Sequence, residues 1–81
     1  MNQQEVKSQL KEIFQQIAPE IPFNELDTTR PLRDQAEIDS FDFYQVIVQV
    51  AERTGVNVPD SKLAEMKNLD QLIGYVADRS S

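Results

Sequence analysis

Apolar residues fall at Val6, Leu10, Ile13, Phe14 and Ile17, in steps of four, three, one and three. That spacing draws one stripe along a helix from Gln3 to Ile17. Pro19 stops it, and Ala18 before it is already biased away from helix. The next stretch, Pro19 to Ile38, keeps no period. It holds Pro22 and Pro31, yet also Phe23, Leu26, Leu32 and Ile38. A structureless connection of that length is unusual in a compact domain, so its apolar residues are expected to pin it across the core. "FNELD" within it suits a short turn of helix.

A second helix is predicted from about Ser40 to Thr54. Asp39 or Ser40 can cap it by accepting a backbone N–H, and Gly55 suits its C-terminal stop. If Asp39 is the cap, Asp42 adds negative charge at the positive end of the helix dipole. "VNVPDSKLAEM" reads as a third helix of about two turns, with Pro59 in its first turn and Leu63 and Met66 on one side. Asn68 can cap a last helix carrying Leu69, Leu72, Ile73 and Val76, weakened slightly by Gly74. The polar "DRSS" end is expected to fray. The fold class is therefore all-α. It is a small antiparallel four-helix bundle, three longer helices plus one short one, with a long loop between the first two. Residues 1–81 are expected to form a single domain.

The second helix carries more apolar surface than one core contact needs. Phe43, Val46, Ile47 and Val50 form one cluster, which assigns Phe43 to the core. Phe41, Tyr44 and Val48 form another beside it. Gln45, Gln49, Glu52, Asp42 and Arg53 fill the remaining face. Either the wide arc packs against two neighbouring helices, or Phe41, Tyr44 and Val48 stay partly exposed for a partner.

Composition narrows the chemistry. The 81 residues contain no cysteine and no histidine. Disulfides and thiolate metal sites are excluded, and a Ser-His-Asp nucleophile cannot be built from this chain. Little room is expected beyond a thin core, so an enclosed enzymatic cavity is not anticipated. An enzyme is the least favoured class. Fourteen acidic against eight basic residues give a net charge of −6. That balance disfavours nucleic acid and favours a basic partner surface, although it also serves solubility. No membrane span and no signal peptide is visible, and a cytoplasmic monomer is the expectation.

The stretch "IDSFDFYQVIVQVAERTGVNVPD" gives these pieces a family. Asp39-Ser40-Phe41 opening the second helix, then "ERTGVNVPD", "SKLAEM" and "NLDQLIGYV", resembles the phosphopantetheine-binding acyl carrier proteins over nearly the whole chain. The resemblance implies that Ser40 receives a 4′-phosphopantetheine arm from a separate transferase using coenzyme A and magnesium. It also implies that Asp39 helps that transferase recognise the site. The arm's thiol then carries acyl groups as thioesters between enzymes, in fatty-acid, polyketide or related lipid metabolism. An imported thiol suits a chain without cysteine, and a helix N-terminus offers N–H groups near the arm's phosphate.

The chain departs from the family pattern at several points. Phe41 replaces the usual leucine or methionine, and Ile38 replaces a small residue. Gln45, Gln49, Ala51 and Arg53 stand where carboxylates are often expected, leaving Asp39, Asp42 and Glu52. The expectation is a specialised carrier that meets a dedicated acyl synthase or ligase through Phe41, Asp42, Tyr44, Gln45, Val48 and Glu52. A peptidyl or aminoacyl carrier, or a helical interaction domain that takes no arm, stay as alternatives.

Overall fold

A computed structural model describes residues 1–80. Three longer helices form its frame: α1 (Gln3–Ile17), α3 (Ser40–Thr54) and α5 (Leu69–Arg79). Two single-turn helices, α2 (Leu32–Gln35) and α4 (Asp60–Leu63), and a 3-10 turn at Phe23–Glu25 complete the described elements. The all-α bundle matches the expectation, with α2 added in the middle of the long connection. Among the described residues there is no strand, only an isolated bridge between Pro31 and Asn68.

Helix α1 begins with a capping box. The Asn2 side chain accepts the Glu5 N–H, and the Glu5 carboxylate accepts the Asn2 N–H. Two of the free donors at the helix start are thereby satisfied. Its stripe of Val6, Leu10, Ile13 and Phe14 is fully buried, and α1 packs against both α3 and α5. Those partners bury Val46, Ile47 and Val50, and Leu69, Leu72, Ile73 and Val76, respectively.

The long connection is pinned as its apolar residues predict. Ala18, Ile21, Phe23 and Leu32 are all buried. The Phe23 ring lies 5.2 Å from that of Phe14, tilted by 49°, a favourable aromatic arrangement. Beyond it, side chains hold the backbone in place of regular structure. Asp27 accepts the N–H and hydroxyl of Thr29. Gln35 reaches back to the same loop: its amide oxygen accepts the Asp27 N–H, and its amide nitrogen donates to the Asp27 and Arg30 carbonyls. The segment is then sewn to the start of α5. Leu32 N–H donates to the Lys67 carbonyl, Asp70 N–H to the Thr28 carbonyl, and the Asn68 amide to the Thr29 carbonyl.

Three expectations are corrected. Helix α4 has one turn, not two, and Pro59 stands at its N-cap instead of inside it. After Leu63 the chain tightens into three-residue steps, with Glu65 N–H to Lys62 and Met66 N–H to Leu63. The Lys67 carbonyl accepts the Leu32 N–H. Phe43 is half-buried at the edge of the core, not inside it. At the "DRSS" end, Asp78 and Arg79 stay helical. The Arg79 guanidinium stacks 3.7 Å over the Tyr75 ring, and Ser80 N–H donates to the Val76 carbonyl. Ser81 lies outside the described residues.

Candidate functional site

Helix α3 starts where the long connection ends. Asp39 is its N-cap in extended conformation, and the Asp39 carboxylate accepts the Asp42 N–H at 2.7 Å. Asp42 lies in the first turn, where its charge complements the helix dipole. Gly55 ends the helix in the left-handed conformation, φ 76°, which glycine adopts without steric penalty.

Ser40 is therefore the first residue of the helix and not its cap. It is exposed, and its hydroxyl has no hydrogen-bond partner among the described residues. Its own N–H and that of Phe41 belong to the first turn, where no carbonyl precedes them to accept. A phosphate joined to the Ser40 hydroxyl would sit beside those donors, so the local chemistry fits a phosphopantetheine arm.

The neighbouring helix surface is unusual. Phe41 is 69% exposed and Tyr44 57%, and they are the exposed large hydrophobics of the described chain. Three residues apart, they share one side of α3. Val48, one turn further, is half-buried, as are Asp42 and Gln45, while Glu52 is exposed. Gln49 donates to the Glu52 carboxylate at 3.2 Å. The six residues expected to meet a partner thus lie along one helix, with Phe41 directly after Ser40.

Arg53 is placed differently from the other polar residues of α3. It donates to the Gln9 side chain at 3.0 Å and lies 3.5 Å from the Glu12 carboxylate. Its guanidinium belongs to the α1–α3 seam.

Sequence reasoning missed a cavity. A hollow of about 450 Å³ lies behind the site, lined by Ile38, Phe43, Leu63, Met66 and Leu72, with Arg33, Asp34 and Lys67 among its polar residues. That volume falls within the ~300–1,000 Å³ of small-molecule pockets. Ile38 and Phe43 stand two residues before and three after Ser40. The available signal was the surplus of apolar residues, Ile38, Leu63 and Met66, that the three long helices do not use to close the core.

The start of α3 thus presents an exposed, unengaged hydroxyl in a chain without histidine or cysteine. A family model described as the phosphopantetheine attachment site matches residues 8–76. The chain belongs to that family and is an acyl carrier bearing a phosphopantetheine arm. Similar proteins include an acyl carrier protein of Acidothermus cellulolyticus, 26% identical over 78 residues, covering 96% of this chain and 92% of that one. The acyl carrier protein of Thermobifida fusca is 28% identical over 75 residues, covering 93% and 94%. A meromycolate extension acyl carrier protein of Mycolicibacterium aurum is 28% identical over 75 residues, covering 93% and 76%. Membership implies meetings with a phosphopantetheinyl transferase and with acyl-handling synthases. Among the described residues no helix is long and apolar enough to cross a membrane, and no acidic, histidine or cysteine cluster could hold a metal.

Proposed function

We propose that Ser40 is the residue that takes the arm. The observation that carries this is the division of labour at the start of α3: Asp39 caps the helix, leaving the Ser40 hydroxyl exposed and unengaged. In the transfer, the Ser40 oxygen bonds to the phosphorus that bears the pantetheine of coenzyme A. The pyrophosphate bond breaks, adenosine bisphosphate leaves, and the hydroxyl proton passes to a base on the transferase. Once bound, the arm supplies the thiol on which acyl groups ride as thioesters.

Each neighbouring residue has a separate part. Asp39 orients the helix start and offers the transferase a carboxylate. Phe41, Asp42, Tyr44, Gln45, Val48 and Glu52 form the face read by acyl-transferring or acyl-activating enzymes in the cytoplasm. The aromatic pair gives that face an apolar anchor, which suits a dedicated partner better than a purely basic surface. Likeness to carriers named for meromycolate extension makes a specialised elongation system a fitting setting. The cavity behind Ile38 and Phe43 receives the acyl chain, because it is lined by apolar side chains and lies beside the attachment point.

The test is an intact mass. The protein incubated with coenzyme A, magnesium and a broad-specificity transferase gains one phosphopantetheine, and Ser40→Ala gains none. A Ser40→Ala variant that still gains the mass places the arm elsewhere. A folded wild type that gains nothing with several transferases defeats the proposal.

A further inference from the structure

Ser40 stands on a border of α3. At ~100° per residue, Tyr44 lies about 40° to one side of it around the helix and Phe43 about 60° to the other. On the Phe43 side the helix turns inward: Val46, Ile47 and Val50 are buried, and Phe43 lines the cavity. On the Tyr44 side it turns outward: Phe41 and Tyr44 are exposed, Gln45 and Val48 are half-buried, and none of the four lines that cavity. The attachment residue therefore separates two apolar tracks, one covered by the fold and one left open.

The open track has a chemistry of its own. Phe41, Tyr44, Gln45 and Val48 carry no formal charge, and they fall within about 100° of one another. The Gln45 amide has no hydrogen-bond partner among the described residues. Tyr44 sits one turn beyond Ser40, a rise of about 6 Å, and a helical side chain covers the surface N-terminal to its own position. Past its phosphate, a phosphopantetheine arm is an uncharged chain with paired methyl groups, a hydroxyl, two amides and a thiol. Its methyl groups match the aromatic rings, and its amides match Gln45 and the water around it. On the covered track the amides would lose water, which costs energy unless each finds a partner. Tethered one turn away, the arm meets the open track at high effective concentration, so weak contacts are enough to hold it.

We infer that the open track of Phe41, Tyr44, Gln45 and Val48 is the resting site of the unacylated arm, with Tyr44 as its main contact. This rests on the reading that Ser40 bears the arm. The same surface is the proposed docking face, so the arm covers it between encounters. A partner that takes Phe41 and Tyr44 then sets the arm free as it docks.

The test compares the protein before and after attachment of the unacylated arm, by NMR of the tyrosine rings and of the arm's methyl groups. Attachment shifts the Tyr44 ring signals, and nuclear Overhauser contacts link that ring to the arm's methyl groups. The Tyr75 ring, on α5, does not move and serves as internal reference. Tyr44→Ala, with attachment confirmed by mass, moves the arm's methyl signals toward those of free phosphopantetheine. Methyl groups that contact Phe43 or Ile38 instead, or methyl signals unchanged in Tyr44→Ala, overturn the resting site while Ser40 keeps its arm. A protein that gains no mass from the transferase overturns Ser40 as the attachment residue, and the resting site with it.

Discussion

The Asp39 carboxylate accepts the Asp42 N–H at 2.7 Å, and Ser40 stands between them with its hydroxyl unengaged. Had Ser40 been the cap, its oxygen would have faced inward to the first helical turn. Displacing the cap by one residue leaves the hydroxyl of a common helix-start residue exposed and unengaged.

That displacement predicts separable effects at Asp39. Asp39→Ala removes the cap and should lower stability by about 1 kcal/mol. Asp39→Asn keeps an accepting side-chain oxygen and should recover most of that stability. If it also slows transfer of the arm, the carboxylate charge has a role beyond capping. Melting curves and initial rates of mass gain, measured on the same two variants, separate the two roles.

Asp27 predicts a feature of acid unfolding. The Thr29 hydroxyl, and next its N–H, hold the Asp27 carboxyl below its ordinary value of 3.8. The folded state then binds fewer protons than the unfolded one between the two values, so this contribution is complete above about 3.8 and disappears as pH falls through the folded value. Thr29→Val removes the hydroxyl contact. The melting-temperature gap between wild type and variant should be full near neutral pH and narrow in that acid window.

Phe41 and Tyr44 should separate binding from folding. Both are mostly exposed, so Phe41→Ala and Tyr44→Ala should change stability by no more than about 0.5 kcal/mol. Their loss should weaken docking to a genuine partner enzyme, with less dependence on salt than loss of a carboxylate such as Glu52. Titration calorimetry at two salt concentrations gives both numbers. Unchanged affinity for every partner would remove the aromatic pair from the docking face.

Arg53→Ala should behave as a seam variant. The pair with Glu12 is partly exposed, so its loss should cost no more than about 1 kcal/mol. Attachment of the arm and partner affinity should be untouched, because the guanidinium points to Gln9 and Glu12 of α1. A fall in partner affinity at unchanged stability would return Arg53 to the docking face.

The parts legible in the sequence were those encoded locally. Helices α1, α3 and α5 follow from apolar spacing, and Asn68 and Gly55 mark ends as their cap chemistry requires. Helix α2 was not legible, since its one buried residue, Leu32, is held by a carbonyl thirty-five positions away at Lys67. Phe43 was assigned to the core from its place on the helical wheel, but the wheel cannot show that its neighbours stop short of covering it. At the site, exposure of Phe41 and Tyr44 was left open by periodicity and decided by packing. The cavity was illegible for a related reason: it is a space between elements, and Ile38, Leu63 and Met66 look like core residues until their neighbours are known.

Helix α4 contributes no fully buried residue, although Leu63 and Met66 near it wall the cavity. If the acyl chain enters the cavity, as proposed, it passes a helical turn that buries no side chain fully. Amides of α4 should exchange with solvent sooner than those of the buried stripes of α1 and α3. On that reading, admission of cargo becomes a matter of one turn breathing, at its own rate and without melting the three helices behind it. The pace at which the carrier shelters or surrenders its load would be set independently of how stable the carrier is.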